Sequence, residues 1–272
     1  MQRLRNLQKN IELKMMNDTF NFATKTIEKA SNLILKNFNK IRKISYKKGA
    51  FNLVTNVDHE VEELILKEIA SKYPEHSIIA EESGTHHKDP TYKWFIDPID
   101  GTTNFAHSYP CFCISIGFTK NNIIEFGLVK NPLTRELYSA KRNNGARLNG
   151  RSISVYNINK LRGSLLVTGF PYDKKTSSTD NFHNFRNLTL VSQGVRRDGS
   201  AALDLCYVAS GKVDGFWELK LSPWDIAAGI LILKEAGGKV TDFKGNKFDL
   251  YSKEIVASNG LIHDQILEAL KS

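Results

Sequence analysis

The sequence is poor in cysteine and proline, and it has no long apolar run. It contains three cysteines in 272 residues, and an odd number in an ordinary globular composition argues against a disulfide framework. No stretch approaches the roughly 18 apolar residues of a membrane span. The N-terminus also lacks the apolar segment of a secretory signal. We therefore expect a cytoplasmic protein without a membrane partner.

The positive charge is concentrated at one end of the chain. The net charge is +9, and residues 1–48 hold twelve Lys/Arg and three Asp/Glu, a balance of 12 − 3 = +9. The rest of the chain holds 26 of each sign (38 − 12 and 29 − 3), a balance of zero. The excess is thus not a basic face spread over the fold. We expect this segment to be a solvent-exposed helix preceded by an irregular leader. The alternative is that the segment binds an anionic partner such as nucleic acid.

Apolar residues recur at helical spacing in two N-terminal segments. The first helix is predicted over 19–38, after a leader at 1–16 that shows no clean apolar period. The second helix is predicted over 58–72, with Asp58 near its N-terminal cap.

Short apolar strands follow the second helix and alternate with further helices towards the C-terminus. The first half is typical of an α+β arrangement with antiparallel strands, and the second of an α/β arrangement. A hairpin is predicted at Asn121-Asn122. We divide the chain into the leader (1–16), an α+β half (17–157) and an α/β half (158–272). The strands are predicted at 77–80, 93–96, 111–120, 123–129, 137–148, 164–168, 213–218, 239–242 and 255–258. The later helices are predicted at 199–209, 224–236 and 262–270.

Two aspartates end one of these strands in the string Trp94–Asn104. Asp97 and Asp100 are three residues apart, and the intervening proline should break the strand after Ile96. Mg²⁺ takes oxygen ligands, often one or two carboxylates with phosphate and water, so these side chains could share a metal site. The Gly101-Thr102-Thr103 backbone could bind phosphate if it opens a helix.

Two further acidic positions could complete such a site. Glu81 and Glu82 follow an apolar strand, which favours one of them pointing towards metal over the usual solvated pair. Asp225 lies near a helix start in Pro223–Gly229 and could equally be a plain N-terminal cap. The small residues after it permit close packing of that helix.

These strings, together with Asn52–Asp58, resemble the inositol monophosphatase family from about residue 17 to the C-terminus. The resemblance implies a layered α-β-α-β-α sandwich of the inositol monophosphatase/fructose bisphosphatase type, with the metal site between two joined halves. It also implies a Mg²⁺-dependent, lithium-sensitive phosphomonoester hydrolase that forms a homodimer.

Carried over position by position, the resemblance implies a role for each site residue. Two to three Mg²⁺ ions would be held at Glu81, Asp97, the Ile99 carbonyl, Asp100 and Asp225. The expected catalytic group is Asp58, Glu81 and Thr102, with Thr102 and Asp58 orienting and deprotonating the attacking water. The expected phosphate and substrate contacts are Asp100, Gly101, Thr102, Thr103, Gly199, Ser200, Ala201, Glu218 and Asp225. Lys47 would lie near a loop that closes over the site.

The substrate is predicted to be a small phosphorylated polyol, in the first place myo-inositol 1-phosphate. Fructose 1,6-bisphosphate and a nucleoside 3′,5′-bisphosphate are the alternatives within the same chemistry. A regulatory protein of this fold that binds RNA or another protein is the alternative of a different class. A complete set of acidic site residues favours the enzyme, because clustered negative charge destabilises a protein that binds no cation.

Overall fold

A computed structural model of the chain describes residues 2–38, 40, 44–46 and 53–271. The helices in this part are α1 (Gln2–Asn37), α2 (Asn56–Lys72), α3 (Thr102–Ala106), α4 (Phe182–Val191), α5 (Ala201–Ala209), α6 (Pro223–Glu235) and α7 (His263–Ala269). The strands are β1 (Ile44–Tyr46), β2 (Leu53–Thr55), β3 (His76–Ala80), β4 (Gly84–His86), β5 (Asp89–Asp100), β6 (Cys113–Lys120), β7 (Ile123–Asn131), β8 (Glu136–Lys141), β9 (Ala146–Leu148), β10 (Arg151–Ile153), β11 (Leu165–Thr168), β12 (Gly194–Arg196), β13 (Gly215–Leu219), β14 (Lys239–Thr241) and β15 (Glu254–Ser258).

Two large sheets and three helical layers alternate through the molecule. An eight-stranded sheet has the order β10-β9-β8-β7-β6-β5-β3-β4, and a five-stranded sheet has the order β12-β11-β13-β15-β14. One core joins α1 and α2 to the larger sheet, a second lies around α5 and α6 between the sheets, and a third joins the smaller sheet to α4 and α7. The predicted α-β-α-β-α sandwich is therefore confirmed.

The two halves differ in strand direction as predicted. In the larger sheet the pairings are antiparallel except that of β3 with β5. In the smaller sheet β11 runs parallel to both β12 and β13, whereas β13 pairs antiparallel with β15. The division at residue 157/158 stays a prediction. No helix in the described ranges is both long and apolar enough to cross a membrane.

Helix α1 begins at Gln2. The prediction that the helix starts at residue 19, after a leader at 1–16, was therefore wrong. Residues 2–18 contain neither Gly nor Pro and are rich in Leu, Gln, Lys and Arg, which favour helix without a clean apolar stripe. Helix α2 is capped by Thr55, and Asp58 completes a capping box as the third helical residue. Asp58 is therefore near the cap but is not the cap.

Strand β5 does not break at Asp97-Pro98, contrary to our prediction. It continues to Asp100, with a shift in its pairing to β6 between Asp97 and Asp100. A proline has no N–H to give to a ladder, so the irregularity lets the strand carry Pro98 without a break. Because of this shift, β5 brings both aspartates to the same end of the sheet.

Several short elements were missed at the sequence level. They are β4, β10, α4, β12 and the two-stranded β1–β2 ladder. Strands of three residues carry little periodic signal, and α4 follows a polar loop that hides its start. The Asn121-Asn122 turn is confirmed, since both residues have positive φ (52° and 62°) between β6 and β7.

Helix α6 packs very close to the larger sheet, which fixes its N-terminus at the site. A Cβ added at Gly127 on β7 would lie 2.5 Å from the carbonyl oxygen of Ala228, and one added at Gly117 would lie 2.8 Å from Ala227 Cβ. The small residues on both elements therefore allow this approach. They set the depth at which α6 presents Asp225.

We expect Gly127→Ala to lower the free energy of unfolding by about 1–3 kcal/mol, because the added methyl group must displace helix backbone. Urea unfolding would measure the loss. Gly194→Ala on β12 is the control, since its nearest neighbouring atom would be 3.5 Å from the new Cβ. Equal stability of the two variants would contradict the close packing of α6.

Candidate active site

Six acidic side chains line a pocket of about 330 Å³. Strand β5 ends there, together with β13, and the N-termini of α3, α5 and α6 meet at the same place. The pocket is lined by the predicted residues Glu81, Asp97, Ile99, Asp100, Gly101, Thr102, Gly199, Ser200, Ala201, Glu218 and Asp225. Of the predicted site residues, Asp58 and Thr103 are not in this lining.

Three aspartates, two from β5 and one from α6, are held in the pocket by hydrogen bonds to their carboxylates. The Ile99 N–H donates to Asp97 Oδ1 (3.0 Å). The Ser200 hydroxyl and the Ala202 N–H both donate to Asp100 Oδ2 (2.7 Å each). The Ser222 N–H donates to Asp225 Oδ2 (2.7 Å) in a second capping box. Ser222 is thus the cap of α6, and Asp225, its third helical residue, completes the capping box and also lines the pocket.

Burial and mutual repulsion act together on these carboxylates. Burial raises the pKa of Asp97 well above its usual range, and the charges of Glu81, Asp100 and Asp225 raise it further. The pKa of Asp225 is raised in the same way, first by burial and then by Glu81 and Asp100. Burial raises the pKa of Asp100 to about 6, although hydrogen bonds from Ser200 and Ala202 oppose the shift. Ionising these aspartates together is therefore unfavourable unless a cation neutralises their charge.

The donor set suits a hard divalent cation. All of the candidate ligands are oxygens, which Mg²⁺ prefers, and a cation among them would reverse the repulsion that raises their pKa values. Within the described part of the chain, no group of three or more His, Cys, Asp or Glu side chains is already arranged to hold a metal ion. The residues therefore suit Mg²⁺ because they offer oxygen ligands in one pocket. They do not form a complete coordination shell around one point.

Thr102 and Asp58 form the hydrogen-bonded pair expected from the sequence. The Thr102 hydroxyl oxygen lies 3.0 Å from Asp58 Oδ1 and 3.0 Å from the Ile99 carbonyl oxygen. The Thr55 N–H and hydroxyl donate to Asp58 Oδ2 (2.9 and 2.5 Å). Asp58 is fully buried, and burial raises its pKa to about 6 despite these hydrogen bonds. It therefore faces the pocket only through Thr102.

Helix α3 starts where the phosphate was expected. Its cap, Gly101, has φ +97°, a conformation that favours glycine. An added Cβ there would lie 2.9 Å from the Cys111 carbonyl oxygen and 3.2 Å from that of Gly199. The turn at Gly101 thus leaves the first N–H groups of α3, those of Thr102 and Thr103, without helical partners.

The opposite wall of the pocket carries Glu218 at the end of β13. Its carboxylate packs on the Cα of Gly169, where an added Cβ would lie 2.0 Å from Oε1. Burial and the charge of Asp100 raise the pKa of Glu218 to about 8, while Arg197 lowers it. At neutral pH this side chain can donate a hydrogen bond to a hydroxyl group or accept one from it.

Some lining residues were missed at the sequence level. They are the loop residues Gly169, Phe170, Pro171, Tyr172 and Asp173, together with Leu219, Lys220, Leu221, Ser222 and Trp224. Only the Gly-Phe-Pro-Tyr turn signal after β11 could have pointed to the loop. Arg197 also lines the pocket. Lys47 lies outside the described residues.

Cys111 and Cys113 are buried free thiols. They do not share one strand, because β6 begins only at Cys113. The Cys113 sulfur lies 3.5 Å from the Ser200 hydroxyl and 3.8 Å from Asp100 Oδ2. This thiol thus packs directly behind the pocket.

Comparisons with known proteins agree over nearly the whole chain. The model of the inositol monophosphatase family matches residues 15–272. An inositol-1-monophosphatase from Synechocystis is 46% identical over 249 residues, 91% of this chain and 87% of that protein. The Nus factor SuhB of Vibrio cholerae is 45% identical over 246 residues, 90% of this chain and 92% of that protein.

Solved structures give the same result for the fold. The inositol monophosphatase from Anabaena has a TM-score of 0.85 and 42% identity, covering 93% of this chain and 96% of that one. An IMPase/NADP phosphatase complexed with Mg²⁺ and phosphate has a TM-score of 0.83 and 25% identity, covering 95% of this chain and 97% of that one.

We expect Mg²⁺ to raise the melting temperature of the wild-type protein at pH 8, because a cation that binds only the folded state stabilises it. Asp97→Asn should lose most of this increase. Asp214→Asn is the control, since Asp214 is a buried aspartate whose carboxylate accepts from the Leu165 N–H outside the pocket. Thermal unfolding with and without Mg²⁺ measures the difference, and an equal increase in both variants would refute the metal assignment.

In a chelating buffer, we expect the free energy of unfolding to fall as the pH rises from about 4 to about 8. Asp58, Asp100 and Glu218 have pKa values of about 6, 6 and 8 in the folded protein, above the 3.8 and 4.5 of the free side chains. The folded state then binds more protons than the unfolded state, so stability is lost as these groups ionise. Urea unfolding across this range tests the sign, and rising stability would contradict it.

Proposed function

The chain belongs to the inositol monophosphatase family and is a phosphatase, and we propose that it hydrolyses the phosphate ester of a small polyol, myo-inositol 1-phosphate in the first place, with Mg²⁺ as cofactor. The observation that carries the proposal is the pocket in which Asp97, Asp100 and Asp225 meet the start of α3. An acidic wall, a helix N-terminus and an alcohol-facing carboxylate are the parts that this reaction requires.

The proposed Mg²⁺ ligands are Glu81, Asp97, the Ile99 carbonyl, Asp100 and Asp225, for two to three ions. The bound metal supplies activation of water at neutral pH and neutralisation of phosphate charge. The residues themselves do the positioning: hydrogen bonds from Ile99, Ser200, Ala202 and Ser222 hold the carboxylates in place. Phosphoryl transfer depends mainly on such positioning and charge neutralisation. A related structure complexed with Mg²⁺ and phosphate supports this choice of cofactor.

Thr102 and Asp58 are proposed to take the proton of the attacking water. The Thr102 hydroxyl lines the pocket and would accept that proton as its own passes to Asp58 Oδ1, 3.0 Å away. The pKa of Asp58, about 6, suits a base that works near neutral pH. The N–H groups at the start of α3 would hold the phosphate while this transfer occurs.

The alcohol side is proposed to be formed by Gly199, Ser200, Ala201 and Glu218. The backbone at Gly199 approaches the pocket closely, and Glu218 offers one carboxyl group to the substrate hydroxyls. A relative that is named inositol-1-monophosphatase supports a polyol monophosphate. Fructose 1,6-bisphosphate and a nucleoside 3′,5′-bisphosphate are the competing substrates.

A second, regulatory role is the other candidate function. The relative of 45% identity is named a Nus factor, and the N-terminal 48 residues carry the whole +9 excess of charge. Binding of RNA or a protein by this segment is compatible with hydrolysis in the pocket. We further propose that the protein is a cytoplasmic homodimer and that lithium inhibits it.

We expect Mg²⁺-dependent phosphate release from inositol 1-phosphate, and we expect Thr102→Val to lower kcat about 10²–10⁴-fold, because the route for the proton is removed. Steady-state phosphate release measures both. Thr26→Val is the matched control, since it removes a buried hydroxyl without a hydrogen-bond partner in α1. The two bisphosphates should be hydrolysed less efficiently, and equal or faster turnover of either would overturn the choice of substrate.

A further inference from the structure

Lys220 has an unusual backbone conformation at the rim of the pocket. It lies between β13 and α6 with φ +61°, a region that favours glycine. Its N–H donates to the Lys253 carbonyl oxygen (2.5 Å), which holds the backbone in this turn. A residue in such a conformation invites a functional explanation when its side chain makes specific contacts.

The ammonium group of Lys220 binds the loop that covers the pocket. Its Nζ donates to Asp173 Oδ1 and Oδ2 (2.9 and 2.8 Å) and to the Ser177 hydroxyl (2.7 Å). An ammonium group has three protons to donate, so these contacts match its full capacity. Asp173 and Ser177 belong to the segment 169–181, which connects β11 to α4.

The same segment is also attached at its end. The Asn181 side chain donates to the Thr168 hydroxyl (3.0 Å) and to the Gly169 carbonyl oxygen (2.6 Å). It also accepts from the Trp217 ring N–H (2.9 Å). Between these two ends, Lys220 therefore provides a contact that ties the middle of the segment to the wall of the pocket.

The tied segment faces the acidic cluster. Phe170, Tyr172 and Asp173 all line the pocket together with Glu218. Tyr172 is 54% exposed, so it lies at the open edge of the pocket. Asp173 and Glu218 thus flank the side of the pocket that would take the alcohol.

We propose that Lys220 and Asp173 form an ionic latch that holds the segment 169–181 over the pocket and selects esters with a single charged group. The selectivity rests on the proposed phosphatase function, whereas the holding of the segment does not. In the latch Asp173 neutralises Lys220, so Lys220 offers no net charge to a second phosphate on the alcohol side. Arg197 is the other cationic residue in the lining there. A neutral polyol needs no positive charge there.

Substitutions at the two positions separate charge from attachment. In Asp173→Asn, Lys220 keeps its charge without a carboxylate partner, so kcat/KM for fructose 1,6-bisphosphate relative to inositol 1-phosphate should rise about fivefold. This factor corresponds to a partly exposed ion pair, as the side chains of Lys220 and Asp173 are 32% and 52% exposed. The gain should shrink at high ionic strength. Lys220→Gly suits the positive φ and should show no such gain.

Trypsin cleavage after Lys174 and Lys175 tests the attachment without any substrate. Both variants should be cleaved faster than wild type, by up to about fivefold, because the population of the open segment follows the energy of the pair. Asp264→Asn is the control, because it removes a lysine–aspartate pair with Lys239 outside the pocket. It should alter neither cleavage nor the substrate ratio.

Two results would overturn the proposal. Cleavage of both variants at the rate of the Asp264→Asn control would show that the ion pair does not hold the segment. An unchanged or lower substrate ratio in Asp173→Asn would show that it does not select the substrate. If wild type and control release no phosphate at all, the proposed function fails and the selectivity with it, whereas the proteolysis still decides the latch.

Discussion

The repulsion among buried carboxylates at one end of β5 is the constraint on which the rest of the structure depends. Asp97, Asp100 and Asp225 come from two elements, and each is raised in pKa by burial and by acidic neighbours. Such an arrangement costs folding free energy unless cations neutralise it. The two sheets and the close-packed α6 hold these groups together. The fold therefore keeps the carboxylates close enough to repel one another, and a bound metal ion would neutralise that repulsion.

This constraint explains how the site divides its work. The acidic wall gives binding sites for hard cations, the start of α3 gives N–H groups for an anion, and Thr102 connects the pocket to the fully buried Asp58. Across the pocket lie Glu218 and the segment held by Lys220, which would face the alcohol of the proposed substrate. The proposed hydrolysis and the proposed choice of ester would thus depend on different walls of one pocket.

Much of the fold and about half of the lining could be predicted from the sequence. Strong local patterns indicated the fold and the acidic positions, whereas residues such as Gly199 and Glu218 were expected only from the resemblance to the family. Asp97, Asp100 and Asp225 stand at the ends of apolar segments. The small residues of helix α6 indicate close packing. The contribution of the segment 169–181 could not be predicted. Its contact with Lys220 joins residues more than forty positions apart through one lysine and a positive φ, neither of which has a periodic signal. The continuation of β5 past Pro98 likewise depends on tertiary pairing.

The most direct test of the account is the number of protons released when Mg²⁺ binds. Calorimetric titration of the metal-free protein at pH 7, in two buffers of different ionisation enthalpy, gives this number. The account predicts release of about one proton or more per chain, because carboxyl groups with raised pKa values must ionise to bind a cation. Binding without proton release, or no binding by the folded protein, would contradict the claim that this pocket is built around a metal-dependent carboxylate cluster.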